Sequence, residues 1–145
     1  MKIVIGSDHG GFVLKNKIKE WLLQNNHSVE DVGCDNEGSC DYPMFGKKIA
    51  EKTVADPESL GIAICGSGVG ISMAANKIKG ARCALCNSVE LAKLAREHNG
   101  ANVLALGART AFLDDWKQIV EAFLATELDT SERHQRRREQ LNEMG

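Results

Sequence analysis

Short runs of β-branched and aliphatic residues alternate along this chain with longer stretches of helical period, and no other feature narrows the possible folds as far. Parallel strands need a long crossover between them, and a helix supplies it, so strand–helix alternation implies βαβ units on a parallel sheet. The strand candidates are Lys2 to Gly6, Ser28 to Val32, Gly61 to Cys65, Arg82 to Cys86 and Asn102 to Leu106. Between them, Leu14, Ile18, Trp21 and Leu22 share one helical face that ends at the turn Asn25-Asn26. Phe45, Ile49 and Val54 suggest a second helix entered through Pro43, and Ile71 to Ile78 a third. Asn87, with Glu90 three residues on, reads as the capped start of a fourth helix carrying Leu91 and Leu94. The strongest helical period runs through Phe112, Leu113, Trp116, Ile119, Val120, Phe123 and Leu124. The expected fold is a doubly wound α/β sandwich.

With 145 residues the chain can bury one core and is too short for two ordinary domains, so residues 1–126 are expected to form a single domain. Residues 127–145, beginning ELDTSERHQRRR, form a polar and helical tail with almost nothing to bury, which is expected to dock on something else, such as a neighbouring subunit. A net charge of −2 gives no general attraction to nucleic acid or to an anionic membrane, so any bound anion must be captured locally. The opening MKIVIGSDHGG breaks its apolar run too early for a secretory leader, and no stretch is long enough to cross a bilayer. A cytoplasmic location is expected. The cysteines number five, an odd count without the spacing of a disulfide scaffold, in keeping with a reducing compartment.

In open parallel sheets, ligands sit beyond the carboxyl ends of the strands. Three such positions carry chemistry here: Asp8-His9-Gly10-Gly11 after the first strand, Cys65-Gly66-Ser67-Gly68-Val69-Gly70 after the third, and Gly107-Ala108-Arg109 after the fifth. The CGSGVG loop lacks the Gly-Lys-Ser/Thr of a nucleotide P-loop, and its third glycine is one residue early for a dinucleotide fingerprint. Ile71 stands where a Cys-x5-Arg phosphatase needs its guanidinium. What remains is a thiol at a strand end, followed by flexible backbone entering a helix. Unpaired amides at a helix N-terminus favour negative charge, either on the Cys65 thiolate or on an oxyanion formed on a substrate. Ser67 can pass a hydroxyl proton. Cys65 reads equally well as a small buried residue in a tight turn and Asp8 and His9 as a capping pair, while His98 alone is more often a polar helix end and Arg109 alone a surface charge. Cys83 and Cys86 are three apart, so in a strand their sulfurs point to opposite faces and packing is favoured over metal binding. Arg133 and Arg137 share one helical face at a spacing suited to one phosphate, although a charge run is more often a solvated face.

DHGG, Asp41-Tyr42-Pro43, CGSGVGIS, AANK at Ala74 to Lys77, Glu97-His98-Asn99, NVLALG and RHQRR occur together and in this order. Their combination resembles the family of type B ribose-5-phosphate isomerases, shared with the galactose-6-phosphate isomerase subunits, over Lys2 to about Leu141. The resemblance implies a Rossmann-like homodimer, or a dimer of such dimers, that interconverts D-ribose 5-phosphate and D-ribulose 5-phosphate with no metal or organic cofactor. Carried over by position, Cys65 would move the proton between C2 and C1, the Gly66 to Gly70 amides (Gly68 among them) would hold the enediolate, and Ser67 would assist proton exchange. His98 would promote ring opening with Asp8 as a helper or a ligand of a ring hydroxyl, Tyr42 and Asn99 would contact the sugar, and His9, Arg109, Arg133 and Arg137 would bind phosphate. Some of these would cross from the partner subunit. The competing expectations are a hexose 6-phosphate isomerase of the same family, acting on allose or galactose 6-phosphate, and a non-catalytic nucleotide- or flavin-binding module. A thiol hydrolase is weakened by Ile71.

Overall fold

The computed structural model describes residues 1–145 and contains a five-stranded, all-parallel sheet in the order β2-β1-β3-β5-β4. Its strands are β1 (Lys2–Ser7), β2 (Ser28–Asp31), β3 (Ser59–Cys65), β4 (Cys83–Leu85) and β5 (Val103–Gly107). The helices are α1 (Phe12–Gln24), α2 (Tyr42–Ala55), α3 (Val69–Asn76), α4 (Val89–Glu97), α5 (Trp116–Ala125) and α6 (Glu132–Glu143).

Side-chain alternation along the strands divides the core in two. Ile3, Ile5, Ile62, Ile64, Leu104 and Leu106 face one way and pack with α1, α4 and α5. Val4, Ala63, Cys65, Val103 and Ala105 face the other way, under Ile49 of α2 and Ile71 of α3. The result is the expected three-layer sandwich. Cys86 belongs to the first cluster and Cys83 packs on the second, so the two sulfurs do diverge across the sheet.

Several boundaries differ from the sequence expectation, each for a local reason. The third helix begins at Val69, not Ile71, because Gly68 at φ 78° turns the chain directly into it. It stops at Asn76, not Ile78, where the Asn76 amide accepts from Cys83 N at 2.8 Å and donates to Cys83 O at 3.0 Å. The fourth helix is capped by Ser88, whose hydroxyl accepts from Leu91 N at 3.2 Å, and not by Asn87. Phe112 and Leu113 lie outside the fifth helix, which starts at Trp116 after the Asp115 carboxylate accepts from Lys117 N. The fourth strand keeps only Cys83 to Leu85, since it sits at the sheet edge and pairs with β5 alone.

The tail is helical, as expected, and buries His134 and Arg138 against its own chain. Arg138 donates to His98 O at 3.0 Å, filling a carbonyl valence that the end of α4 leaves bare, and to Asp129 O at 2.8 Å in the segment before α6. Hydropathy hides such a contact because both of its partners are polar.

Candidate active site

The loops after β1, β3 and β5 meet at the carboxyl edge of the sheet and tie one another down. Asp8 N donates to Ile64 O at 3.2 Å, Ala108 N to Cys65 O at 2.9 Å and Arg109 N to Gly66 O at 2.8 Å. A Cβ on Gly10 would lie 3.3 Å from Asp8 Oδ1, 3.3 Å from Gly66 N and 3.4 Å from Arg109 Cζ, so these groups surround one small volume that only a bare backbone leaves open. Asp8 is buried and its carboxylate accepts from Gly11 N at 3.1 Å, which makes it the cap of the turn His9–Gly11 as well as a wall of the site. His9 Nδ1 lies 3.2 Å from Cys40 O and 3.3 Å from Cys40 N, so the 34–41 loop sets its ring.

Period-two alternation sends the Cys65 side chain to the α2/α3 face, directly beneath the start of α3. There Gly68 N donates to Cys65 Sγ at 3.1 Å. The left-handed backbone at Gly68 aims that amide, and a Cβ there would meet Leu85 Cδ1 at 2.5 Å and Leu106 C at 2.9 Å. Ser67 is exposed on the outside of the loop, with its hydroxyl accepting from Val69 N at 3.2 Å. Tyr42, at the start of α2, covers Gly70: a Cβ on that glycine would come within 2.7 Å of the ring. Cys65, Ser67, Gly66, Gly68, Gly70, Asp8, His9, Tyr42 and Arg109 therefore share one edge of the chain.

His98, Asn99, Arg133 and Arg137 lie elsewhere. Helix α4 starts beyond the carboxyl end of β4 and runs back, so its end reaches the amino edge, where Asn102 O accepts from Gly61 N at the start of the sheet. From Val103 to Gly107 the strand climbs about 13 Å, and His98 lies further back still. Within one chain the His98 imidazole and the Cys65 sulfur cannot touch one substrate.

The amino-edge cluster has its own geometry. The His98 and His134 rings stack with centroids 4.2 Å apart and planes 5° from parallel. Asp129 Oδ2 stands 3.9 Å from His134 Nε2, and Asp129 N donates to Glu97 O at 2.8 Å. Burial, then the neighbouring His98, holds the His134 imidazole below its ordinary value, with Arg133 and Arg137 adding to the effect against the pull of Asp129. Arg82 Nε donates to Asn99 O at 3.1 Å and Gly100 O at 3.0 Å. Arg133 and Arg137 are exposed and make no ion pair. The ligand atoms of His98, Asp129 and His134 lie within 4.8 Å of one another, which is close enough to suggest a metal. Stacked rings, however, carry their nitrogen lone pairs in two parallel planes that do not converge on one ion.

The sequence singles out none of Asp129, His134 and Arg82, and it places Arg138 in a charge run expected to be solvated, whereas Arg138 is buried. The available signal was the four-residue spacing of His134 and Arg138, which marks a second face of α6 beside that of Arg133 and Arg137.

The pattern of the Ribose/Galactose Isomerase family matches residues 3–141. The chain belongs to this family. Among its relatives, the ribose-5-phosphate isomerase B of Mycolicibacterium paratuberculosis is 48% identical over 138 residues, covering 94% of this chain and 87% of that protein. The solved structure of Clostridium thermocellum ribose-5-phosphate isomerase B superposes with a TM-score of 0.91 at 46% identity, covering 99% of this chain and 96% of that one. A Mycoplasma genitalium ribose-5-phosphate isomerase B, solved with bound ribulose-5-phosphate, gives a TM-score of 0.91 at 41% identity over 98% of this family member and 94% of its own chain. No helix here is long and apolar enough to cross a membrane.

Proposed function

We propose that this isomerase-family chain interconverts D-ribose 5-phosphate and D-ribulose 5-phosphate at a site completed by a second copy of itself. The observation that carries the reading is the Gly68 amide on Cys65 Sγ at a strand end, within a ring of bare glycine backbone. An aldose–ketose shift needs a base at the carbon next to the carbonyl, donors for the enediolate and a distant anchor for the phosphate. Cys65 is the base, taking the C2 proton and returning it to C1. With only 4% of the residue exposed, it acts on a carbon pressed against the loop and away from bulk water. The amides of Gly66 to Gly70 receive the enediolate charge, and Ser67 passes protons between its oxygens. Asp8 and Tyr42 contact the sugar, while His9 and Arg109 take phosphate.

His98 opens the furanose ring, Asn99 holds the sugar, and Arg133 and Arg137 complete the phosphate grip, all four from the second copy. Support comes from the sheet edge. The outer side of β4 is unpaired, and Val69, Met73, Leu85 and Leu91 expose apolar side chains on α3, β4 and α4 beside it. A two-fold axis perpendicular to that strand covers the edge and reverses the strand direction, so the amino edge of each copy meets the carboxyl edge of the other. The reaction needs no group beyond these residues.

The test is ribose 5-phosphate in deuterated water with EDTA present, following ketose formation and label entry at C1. Wild type should convert and exchange, and Cys65→Ala should do neither. Refolding Cys65→Ala together with His98→Asn should restore about a quarter of wild-type activity, because half the dimers are mixed and each mixed dimer has one intact site. Two inactive parents that stay inactive when mixed would refute the shared site. Turnover of allose 6-phosphate or galactose 6-phosphate in place of the pentose would move the assignment to a hexose phosphate.

A further inference from the structure

We propose that His134 is a positioning residue for ring opening: its flat face, carried in by the tail helix, fixes the imidazole of His98. The inference rests on the isomerase reading above and deepens it. Helix α6 divides its cationic and imidazole side chains between two faces. Arg133 and Arg137 point outward, while His134 and Arg138 are buried. Arg138 bonds the carbonyls of His98 and Asp129, and Arg82 bonds those of Asn99 and Gly100, so the backbone that bears His98 is held from two directions. That leaves only the side-chain torsions of His98 free, and the His134 ring closes one side of them at 4.2 Å.

The His134 ring is held there by its face and not by a nitrogen. Its Nε2 is buried without a hydrogen-bond partner, and the nearest carboxylate, Asp129, is at 3.9 Å, beyond bonding distance. A stacked imidazole that burial keeps neutral leaves its neighbour free to accept and release a proton without facing a second positive ring. Ring opening uses both events. The C1–O4 bond breaks with its electron pair returning to O4, which takes a proton, while O1 loses its proton and becomes the aldehyde oxygen. The same helix thus carries the phosphate grip on one face and the orientation of the ring-opening group on the other.

The experiment separates ring opening from enolisation. Ribulose 5-phosphate has its 5-hydroxyl esterified and cannot close a five-membered ring on C2, so deuterium entry at its C1 reports the Cys65 chemistry alone. Conversion of ribose 5-phosphate, supplied as furanose, reports both steps. For His134→Ala, kcat on ribose 5-phosphate should fall by about 10–100-fold while exchange at C1 of ribulose 5-phosphate falls by about threefold at most. His134→Phe, which keeps a flat ring without nitrogen, should restore ribose 5-phosphate turnover to within about threefold of wild type. If His134→Ala does not fold, His134→Leu, which fills the volume without a flat face, takes its place with the same expectation. Undiminished ribose 5-phosphate turnover, an equal fall in both measurements, or a phenylalanine variant no better than alanine would each overturn the proposal. Wild type that neither converts nor exchanges would instead overturn the isomerase reading itself.

Discussion

Replacing Arg138 by methionine tests how the tail is held, because the substitution keeps an unbranched apolar stem and removes only the guanidinium. Two of its hydrogen bonds, to His98 O at 3.0 Å and Asp129 O at 2.8 Å, have ordinary lengths, whereas the third, to Glu97 O, is at the 3.5 Å limit and is left out. At the low end for bonds to a charged group, about 1.5 kcal/mol each, the loss is about 3 kcal/mol. Beyond these bonds the helix is held by the Arg82 bond to Asn142 and the stack of His134 on His98. Its buried residues are His134 and Arg138, and a helix of 12 residues is marginal on its own. A loss of about 3 kcal/mol multiplies the undocked population by about 100-fold. Hydrogen exchange of the α6 amides should accelerate by that factor, with amides in β3 and α5 unchanged. The KM for ribose 5-phosphate should rise as Arg133 and Arg137 come loose, and kcat should fall with His98. Tail amides that exchange at the wild-type rate would refute the reasoning, as would equal acceleration throughout the core.

Lys15 is 1% exposed, and its ammonium donates to Asp31 at 3.1 Å and to Cys34 O at 2.5 Å; Lys15→Met should cost about 3 kcal/mol and lower Tm by about 10 °C. Burial raises the Asp31 carboxyl, but the Gly33 amide with Lys15 and Lys19 outweighs it and holds the group below its ordinary 3.8. A carboxyl so lowered stabilises fully above that value and loses its contribution as pH falls through the folded one, so urea titrations should show the gap between wild type and Lys15→Met narrowing below about pH 4. Burial pushes the Cys83 thiol up to about 12 and the Cys86 thiol up to about 11, so neither should react with iodoacetamide at pH 8.5 until the protein is denatured, as peptide mass mapping would show. Gly68→Ala places a methyl in left-handed backbone against Leu85 and Leu106; isomerase activity should fall by at least about 10-fold and stability by about 2 kcal/mol, and a variant of wild-type activity would show that the turn does not depend on bare backbone at Gly68.

Much of the carboxyl-edge site was legible because its residues follow strand ends directly. The crossover rule sends the residues after β1, β3 and β5 to one edge without any knowledge of packing. The same rule sends the end of α4 to the opposite edge, so the separation of His98 from Cys65 was also implicit in the alternation. The shapes of motifs alone do not reveal it. The burial of His134 and Arg138 was not legible, since a helix reading ERHQRRREQLNE shows no apolar stripe.

By itself the sequence determined the parallel sheet, the two apolar faces of its strands, the thiol at the head of a glycine loop and the pairing of Arg133 with Arg137. All of these follow from the period of backbone geometry over a few residues. Tertiary structure alone decided that bare carbonyls at the end of α4 would meet the Arg138 guanidinium, and that two imidazoles 36 positions apart in sequence would stack. Such contacts are fixed by where whole elements come to rest, because a polar group's burial depends on the partner it finds and not on its own type.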